Sequence, residues 1–87
     1  MTMFYVYVLL SQKDRNFYVG YTEDLAKRMD EHGTGLVIST RNRRPMQLVY
    51  YEGSINKKVA MHREKYLKTT WGKRYLKNRL KYFISNI

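Results

Sequence analysis

The start of the chain carries two strand-like segments that are separated by only a few polar residues. Residues 3–10 alternate with a period of two, so apolar side chains fall on one face and Tyr5 and Tyr7 on the other. Residues 11–16 are polar, and the strand pattern resumes directly after them, so a hairpin is expected. With a turn at Gln12 and Lys13, Tyr7 would lie directly opposite Tyr18, with both phenols on one face.

The pattern after this hairpin predicts helices and one more strand. Thr22 suits the N-cap of the first helix, which is followed by a flexible basic loop up to Pro45. The order strand, strand, helix, strand, helix, helix predicts an α+β fold on a small sheet, in one domain over residues 1–87. The elements expected after the hairpin are a helix over 23–32, a strand over 46–52, and helices over 56–69 and 73–83.

Several classes of protein are excluded by what the chain lacks. It has no cysteine, which excludes disulfides and thiolate metal sites, and only two histidines, His32 and His62, which argue against structural zinc. Its longest apolar run, residues 4–10, is too short to span a bilayer. The start has no charged segment and cleavage site typical of a signal peptide, so we expect a cytoplasmic protein.

The net charge of +10 is concentrated in the second part of the chain. Up to Gly53 there are seven Lys and Arg against six acids, and from Ser54 onward ten against one. Such an imbalance favours a polyanionic partner, here nucleic acid, although a solvated basic surface has the same composition. The candidate phosphate contacts are Arg41, Arg43 and Arg44 in the basic loop and the ridge of Lys73, Lys77 and Lys81 on the last helix.

Glu64 is the only acid among the last thirty-four residues. The helical spacing places it at the edge of the buried stripe of its helix, facing the sheet or a cleft. It either pairs with Lys68 or an arginine, or holds a divalent cation together with water and substrate phosphate.

Four other residues have a structural and a functional interpretation. Tyr7 and Tyr18 are ordinary strand residues unless a metal and cationic surroundings favour the phenolate. Arg28 and His32 lie four residues apart on one helix, so they can act on the same spot. Arg28 either pairs with a neighbour or binds a scissile phosphate, and His32 is either a helix cap or part of that site.

Two tyrosine motifs resemble those of the GIY-YIG endonuclease domain. Val6-Tyr7 is similar to the end of the first motif, with Tyr5 at the position of its glycine. Tyr18-Val19-Gly20 is similar to the second motif, and the step of eleven residues between the two tyrosines is the spacing of the family. Each tripeptide alone is a weak signal.

The resemblance continues beyond the two tyrosine motifs. The following helix carries Arg28 and His32 as the family's helix does, and Glu64 stands where the family's metal ligand falls. The similarity runs from about residue 3 to residue 80 and is greatest to small, stand-alone members, which the segment Thr40–Pro45 also resembles. Some of these members carry names borrowed from the excision-repair incision subunit.

The resemblance implies a three-stranded antiparallel sheet flanked by helices and a phosphodiesterase with one Mg²⁺ or Mn²⁺ ion. Tyr7 would be the general base on the attacking water, and Tyr18 would orient that water or the phosphate. Arg28 would stabilise the charge that develops on the phosphate, and His32 would assist by hydrogen bonding. Glu64 would hold the metal. The implied function is a metal-dependent DNA endonuclease, with DNA repair or recombination as its setting.

Two other functions compete with the nuclease. The first is a non-catalytic DNA- or RNA-binding module that keeps the fold. The second is an amphipathic membrane-surface protein that uses its last helix, although the tyrosine set would then be unexplained. Branched DNA, single-stranded DNA and RNA all remain open as substrates, and so do a homodimer and a partner protein.

Overall fold

In the computed structural model, which describes residues 1–84, the alternating segment forms the central strand of a sheet. Strand β1 (Phe4–Ser11) lies between β2 (Phe17–Thr22) and β3 (Met46–Ser54), and it is antiparallel to both. Helices cover the sheet, which confirms the predicted α+β fold with three antiparallel strands. Because β1 is central, its residues from Val6 to Ser11 are buried on both faces.

The hairpin between β1 and β2 has a different register from the one that a turn at Gln12 and Lys13 would give. Tyr7 pairs with Gly20, and Tyr18 pairs with Leu9. The loop comprises residues 12–16 and is closed by the Ser11 N–H donating to the Asn16 carbonyl at 3.1 Å. The Ser11 hydroxyl also accepts from two loop N–H groups. These side-chain bonds stabilise a longer loop than the alternation alone can predict.

Four helices complete the described part of the chain, namely α1 (Leu25–Thr34), α2 (Ile38–Arg41), α3 (Lys57–Leu67) and α4 (Thr70–Arg79). The N-cap of α1 is Asp24, whose side chain accepts from the Lys27 N–H, so the predicted cap Thr22 was wrong. The short α2 lies in the segment predicted as a loop. No helix within residues 1–84 combines the length and the apolar character needed to cross a bilayer.

The last helix begins and ends earlier than predicted. The hydroxyl of Thr69 accepts from the Gly72 N–H and so caps α4, while Leu80 is its C-cap. Lys81 therefore follows the helix, and its ammonium lies over the Tyr82 ring at 5.2 Å. The predicted ridge of three lysines on one helix was wrong for Lys81.

The main core lies between the sheet and the helices α3 and α4. Its buried members are Val6, Val8, Val19, Ala60, Leu67 and Leu76. At the junction of the two helices, a Cβ built on Gly72 would lie 2.2 Å from the Tyr66 carbonyl oxygen. Only a glycine allows the two helices to approach this closely. Since side chains alternate along a strand, Tyr7 and Leu9 project to the opposite face.

Candidate active site

The phenol of Tyr7 is the centre of a hydrogen-bonded cluster on the sheet face opposite the main core. Its oxygen lies 2.8 Å from His32 Nε2 and accepts from Arg28 Nε at 3.2 Å. Tyr7 is fully buried, with 0% of its surface exposed. The predicted convergence of these three side chains is therefore present in the structure, with α1 supplying two of them.

Gly20 makes room for the Tyr7 ring. The two residues are paired across β1 and β2, and a Cβ on Gly20 would lie 2.3 Å from the Tyr7 oxygen. Because Tyr7 is enclosed, it could not move aside for a methyl group without losing its hydrogen bonds. Packing thus explains why the second tyrosine motif ends in glycine, because the Tyr7 phenol lies across the backbone at this position.

Tyr18 lies beside Tyr7, although not directly opposite it. The pairing of Tyr7 with Gly20 makes the two tyrosines diagonal neighbours on one face, with ring centroids 6.4 Å apart. The rings of His32 and Tyr18 lie in a T-shaped arrangement, with 5.3 Å between their centroids. Ser39 in α2 donates to the Tyr18 oxygen at 3.3 Å. The two phenols lie on one face of the sheet as predicted, although β1 and β2 pair in a different register from the predicted one.

His32 is an internal residue of the site. It is 2% exposed, and its second ring nitrogen, Nδ1, lies 2.7 Å from the Thr40 hydroxyl. Burial lowers the pKa of His32, and the positive charge of Arg28 lowers it further, so the ring is neutral. Thr40 was not among the predicted site residues. Its only signal in the sequence is its place in the segment that resembles the small family members.

Replacing Thr40 with valine tests whether this contact holds the histidine. Valine has a similar shape but no hydroxyl, which leaves His32 Nδ1 buried without its partner. We expect Thr40→Val to destabilise the protein by about 1–3 kcal/mol in chemical denaturation. We also expect the ¹⁵N shifts of the His32 ring to report a changed tautomer population.

The matched control for Thr40→Val is Thr34→Val, because Thr34 is exposed at the end of α1 and its hydroxyl bonds only to backbone carbonyls. It should change stability by less than about 0.5 kcal/mol. Equal stability of the two variants, with unchanged His32 shifts, would show that Thr40 does not hold the ring.

Burial is the main influence on the acidity of Tyr7. It raises the pKa of the phenol, while the hydrogen bond from Arg28 acts in the opposite direction, and the charges of Tyr18 and Glu64 raise the pKa further. The net direction is upward, so Tyr7 is a neutral phenol in this structure. A role as a base therefore needs a neighbouring group that takes up its own proton.

Arg28 connects the cluster to solvent. Its Nη1 donates to Glu31 at 3.2 Å, so Glu31 is the neighbour with which it pairs, and its side chain remains 34% exposed. The hydrogen bond to Tyr7 raises the pKa of Arg28. Arg28 also lines an open cavity of about 310 Å³ with Tyr21, Lys27 and three acids, Glu23, Asp24 and Glu31. A guanidinium has five N–H donors, and two are used here within residues 1–84.

Glu64 lies on α3, which packs against the sheet from the side of the main core. Its negative charge is the smallest of the influences that raise the pKa values of Tyr7 and Tyr21, and no hydrogen bond joins it to either tyrosine within residues 1–84. Its side chain is 18% exposed and pairs with Lys68 at 3.2 Å. Lys68 is 55% exposed, so its ammonium keeps much of its contact with water, while the carboxylate of Glu64 is largely buried.

The donor set suits one hard cation that is bound mainly by water and phosphate. Within residues 1–84, no three His, Cys, Asp or Glu side chains are grouped closely enough to form a complete metal site. His32 uses both ring nitrogens in hydrogen bonds, and Glu64 as the metal ligand remains a prediction. Mg²⁺ accepts such a site because it retains several waters and binds substrate phosphates. The residues present thus fit the implied metal.

The arginines of the predicted basic loop hold the segment together. Arg43 forms an ion pair with Asp14 at 2.6 Å and donates to two carbonyls of the hairpin. Arg41 donates to the Gly35 carbonyl, and Arg44 donates to the carbonyls of Gly33 and Arg41. The segment is therefore braced within the protein. Contacts of Arg41, Arg43 and Arg44 with phosphate remain predictions.

Comparison with known proteins decides the family. A family model described as the GIY-YIG catalytic domain matches residues 3–81. The chain belongs to the GIY-YIG family. A UPF0213 protein of Clostridium perfringens is 45% identical over 67 residues, which cover 76% of this chain and 71% of that protein. A UPF0213 protein of Pediococcus acidilactici is 41% identical over 86 residues, covering 95% and 83%.

A solved structure supports the same assignment. The solution NMR structure of a UPF0213 protein from Bacillus halodurans is similar to this chain, with a TM-score of 0.54 and 35% identity. The similarity covers 85% of this GIY-YIG chain and 81% of the other. The family and the fold that the two tyrosine motifs indicated are thus confirmed.

Proposed function

We propose that this GIY-YIG protein is an endonuclease that hydrolyses phosphodiester bonds in DNA with one divalent cation. The observation that carries the proposal is the cluster of Tyr7, Arg28 and His32, which joins a phenol, a guanidinium and a neutral imidazole by direct hydrogen bonds. A buried network of this kind is more than packing requires, because leucine would fill the same space without three polar groups to satisfy.

Arg28 would bind and stabilise the scissile phosphate. Its side chain is partly exposed beside an open cavity, and it carries N–H donors beyond those used by Tyr7 and Glu31. As an anionic phosphate approaches, Arg28 would turn from the Tyr7 oxygen toward it, since charge-assisted bonds are stronger than bonds to a neutral phenol. This movement would also open the Tyr7 oxygen to water.

Tyr7 and His32 would together remove a proton from the attacking water. In the tautomer whose Nδ1–H donates to Thr40, Nε2 accepts the hydroxyl of Tyr7. The Tyr7 oxygen would take a proton from water as its own proton moves to Nε2, and the resulting hydroxide would attack phosphorus. The substrate's negative charge would offset the positive charge formed on His32. Tyr18, beside both rings, would orient the water.

Glu64 would hold the cation, which, when bound, polarises the phosphate and stabilises the leaving oxygen. Its carboxylate is the only acid from Ser54 onward and has Lys68 as its ion-pair partner within residues 1–84. Mn²⁺ would fit the same oxygen donors as Mg²⁺.

Cleavage assays with Mg²⁺ or Mn²⁺ test the proposal. The substrates are DNA and RNA in single-stranded, double-stranded, nicked and branched forms. We expect metal-dependent cleavage of at least one DNA substrate by the unmodified protein. Glu64→Gln removes the charge with little change of shape, and we expect it to lower cleavage by at least about 100-fold, since metal stabilisation is worth several kcal/mol. Salt-sensitive DNA binding should remain.

Asp30→Asn is the matched control, because Asp30 is exposed on α1 and also loses one negative charge. It should cleave as the unmodified protein does. If no substrate is cut with either metal while DNA is still bound, the protein is a non-catalytic binding module. The intact set of Tyr7, Tyr18, Arg28 and Glu64 favours the nuclease over that alternative.

A further inference from the structure

A cationic groove lies between the hairpin loop and α4, away from the tyrosines. One cavity of about 220 Å³ is lined by Arg15, Asn16, Phe17, Lys73 and Lys77. A second cavity of about 280 Å³ is lined by Thr70, Lys73, Arg74 and Lys77. The two cavities share Lys73 and Lys77, so they form one continuous surface, which we call the α4 groove.

The α4 groove holds four cations and no carboxylate. Arg15, Lys73, Arg74 and Lys77 line it, and none of the four forms an ion pair within the part of the chain that the structure describes. The nearest acid in the sequence, Asp14, is bound to Arg43, which lowers its pKa to about 2 and keeps it ionised in that pair. A polyanion would relieve the repulsion among these cations.

An exposed aromatic ring on the same helix favours nucleic acid as the polyanion. Trp71 is 65% exposed on α4, and the Arg74 guanidinium lies over its ring at 4.9 Å. Flat aromatic and guanidinium surfaces beside cations are what unpaired bases stack on in proteins that bind nucleic acids.

The α4 groove and the catalytic cluster lie on different faces of the sheet. Phe17 lines the groove and packs against the main core beneath α3 and α4. Tyr18, the next residue, projects to the face of Tyr7 and His32. The edge strand β2 therefore separates the two surfaces, and a phosphate in the groove is not the one at Arg28.

We propose that the α4 groove binds a second stretch of nucleic-acid backbone, so that the protein contacts its substrate on both sides of strand β2. The identity of the substrate rests on the proposed function, but binding in the groove requires no cleavage. Arg15, Lys73 and Lys77 contact phosphates, and Arg74 with Trp71 offers a stacking surface.

The salt dependence of DNA binding tests this second contact. Binding of a labelled duplex is measured by fluorescence anisotropy over a range of salt concentrations, with EDTA present so that no cleavage occurs. The slope of log affinity against log salt is negative, and each lost phosphate contact reduces its magnitude by about 0.9. We expect a decrease of about two for Lys73→Gln/Lys77→Gln and about three when Arg15→Gln is added.

The control is Lys57→Gln/Lys58→Gln, which removes the same charge from exposed lysines at the start of α3, outside the α4 groove. It should reduce the magnitude of the slope by less than about one. An equal decrease for both pairs of substitutions would show an effect of net charge only and would overturn the proposal. An unchanged slope for the groove variants would also overturn it. So would groove variants that bind DNA normally and lose binding only to vesicles of anionic lipid.

The two proposals fail in different ways. If the protein binds DNA with the expected slopes but cuts none of the tested substrates, the nuclease assignment is wrong and the proposal for the α4 groove stands. If the protein cuts DNA and its groove variants retain the full slope, the nuclease assignment stands and the proposal for the α4 groove is wrong.

Discussion

Tyr7→Phe is expected to lower metal-dependent DNA cleavage by about 10²–10⁴-fold, because it removes the oxygen that would take the proton from water. The same oxygen lies 2.8 Å from His32 and 3.2 Å from Arg28, so its loss leaves the buried His32 and the partly exposed Arg28 without this hydrogen bond. We therefore also expect a loss of about 1–3 kcal/mol in the free energy of unfolding. Cleavage rates and chemical denaturation of the same preparation measure both effects.

Tyr5→Phe is the matched control for this substitution. Tyr5 lies two residues earlier on β1, and its ring packs edge-on against Tyr51 at 6.1 Å between centroids. Removing its hydroxyl should leave the cleavage rate unchanged and stability within about 0.5 kcal/mol. If Tyr7→Phe cleaves DNA as fast as Tyr5→Phe while Glu64→Gln does not cleave, then Tyr7 has a structural role only.

Gly72→Ala is expected to be the most destabilising single methyl addition in the described chain. The added Cβ would lie 2.2 Å from the Tyr66 carbonyl oxygen and 2.4 Å from the Leu67 Cα. Both are backbone atoms, so no side chain can rotate away, and α4 must separate from α3. Overpacking costs about 1–3 kcal/mol and more where the neighbours are rigid, so we expect a loss of about 3 kcal/mol or more.

A loss of this size should lower the melting temperature by about 12 °C or more, since 1 kcal/mol corresponds to about 4–8 °C in a domain of this length. The control is Gly33→Ala in α1, where an added Cβ meets nothing within 4 Å. Alanine is the better helix former, so Gly33→Ala should stabilise by about 0.5–1 kcal/mol. Similar melting temperatures for the two variants would contradict this account of the helix junction.

The local order of strands and helices was predictable because each element carries its own pattern. The alternation in residues 3–10 and the i, i+4 pair of Arg28 and His32 were both readable and correct. The errors arose where polar side chains bond to nearby backbone. Ser11 lengthens the hairpin loop, and Thr69 starts α4 earlier than expected.

The basic residues also divide into those that the sequence could identify and those that only the structure could place. Lys73 and Lys77 were identified from charge and helical spacing, and they do share one surface. Arg43 has the same charge but is bound to Asp14 and two carbonyls, which no count of charges can reveal. Arg15 was not singled out, and it joins the lysines only because the hairpin loop lies against α4.

By itself, the sequence determined the family, the α+β order and the residue types of the site, because these depend on local periodicity and on motif spacing. Only the tertiary structure decided which atoms meet. Thr40 reaches His32, and Gly20 lies beneath the Tyr7 phenol, because strands and helices distant in the sequence pack together. Burial also raises the pKa of Tyr7 and lowers that of His32, and burial is a property of the packed chain.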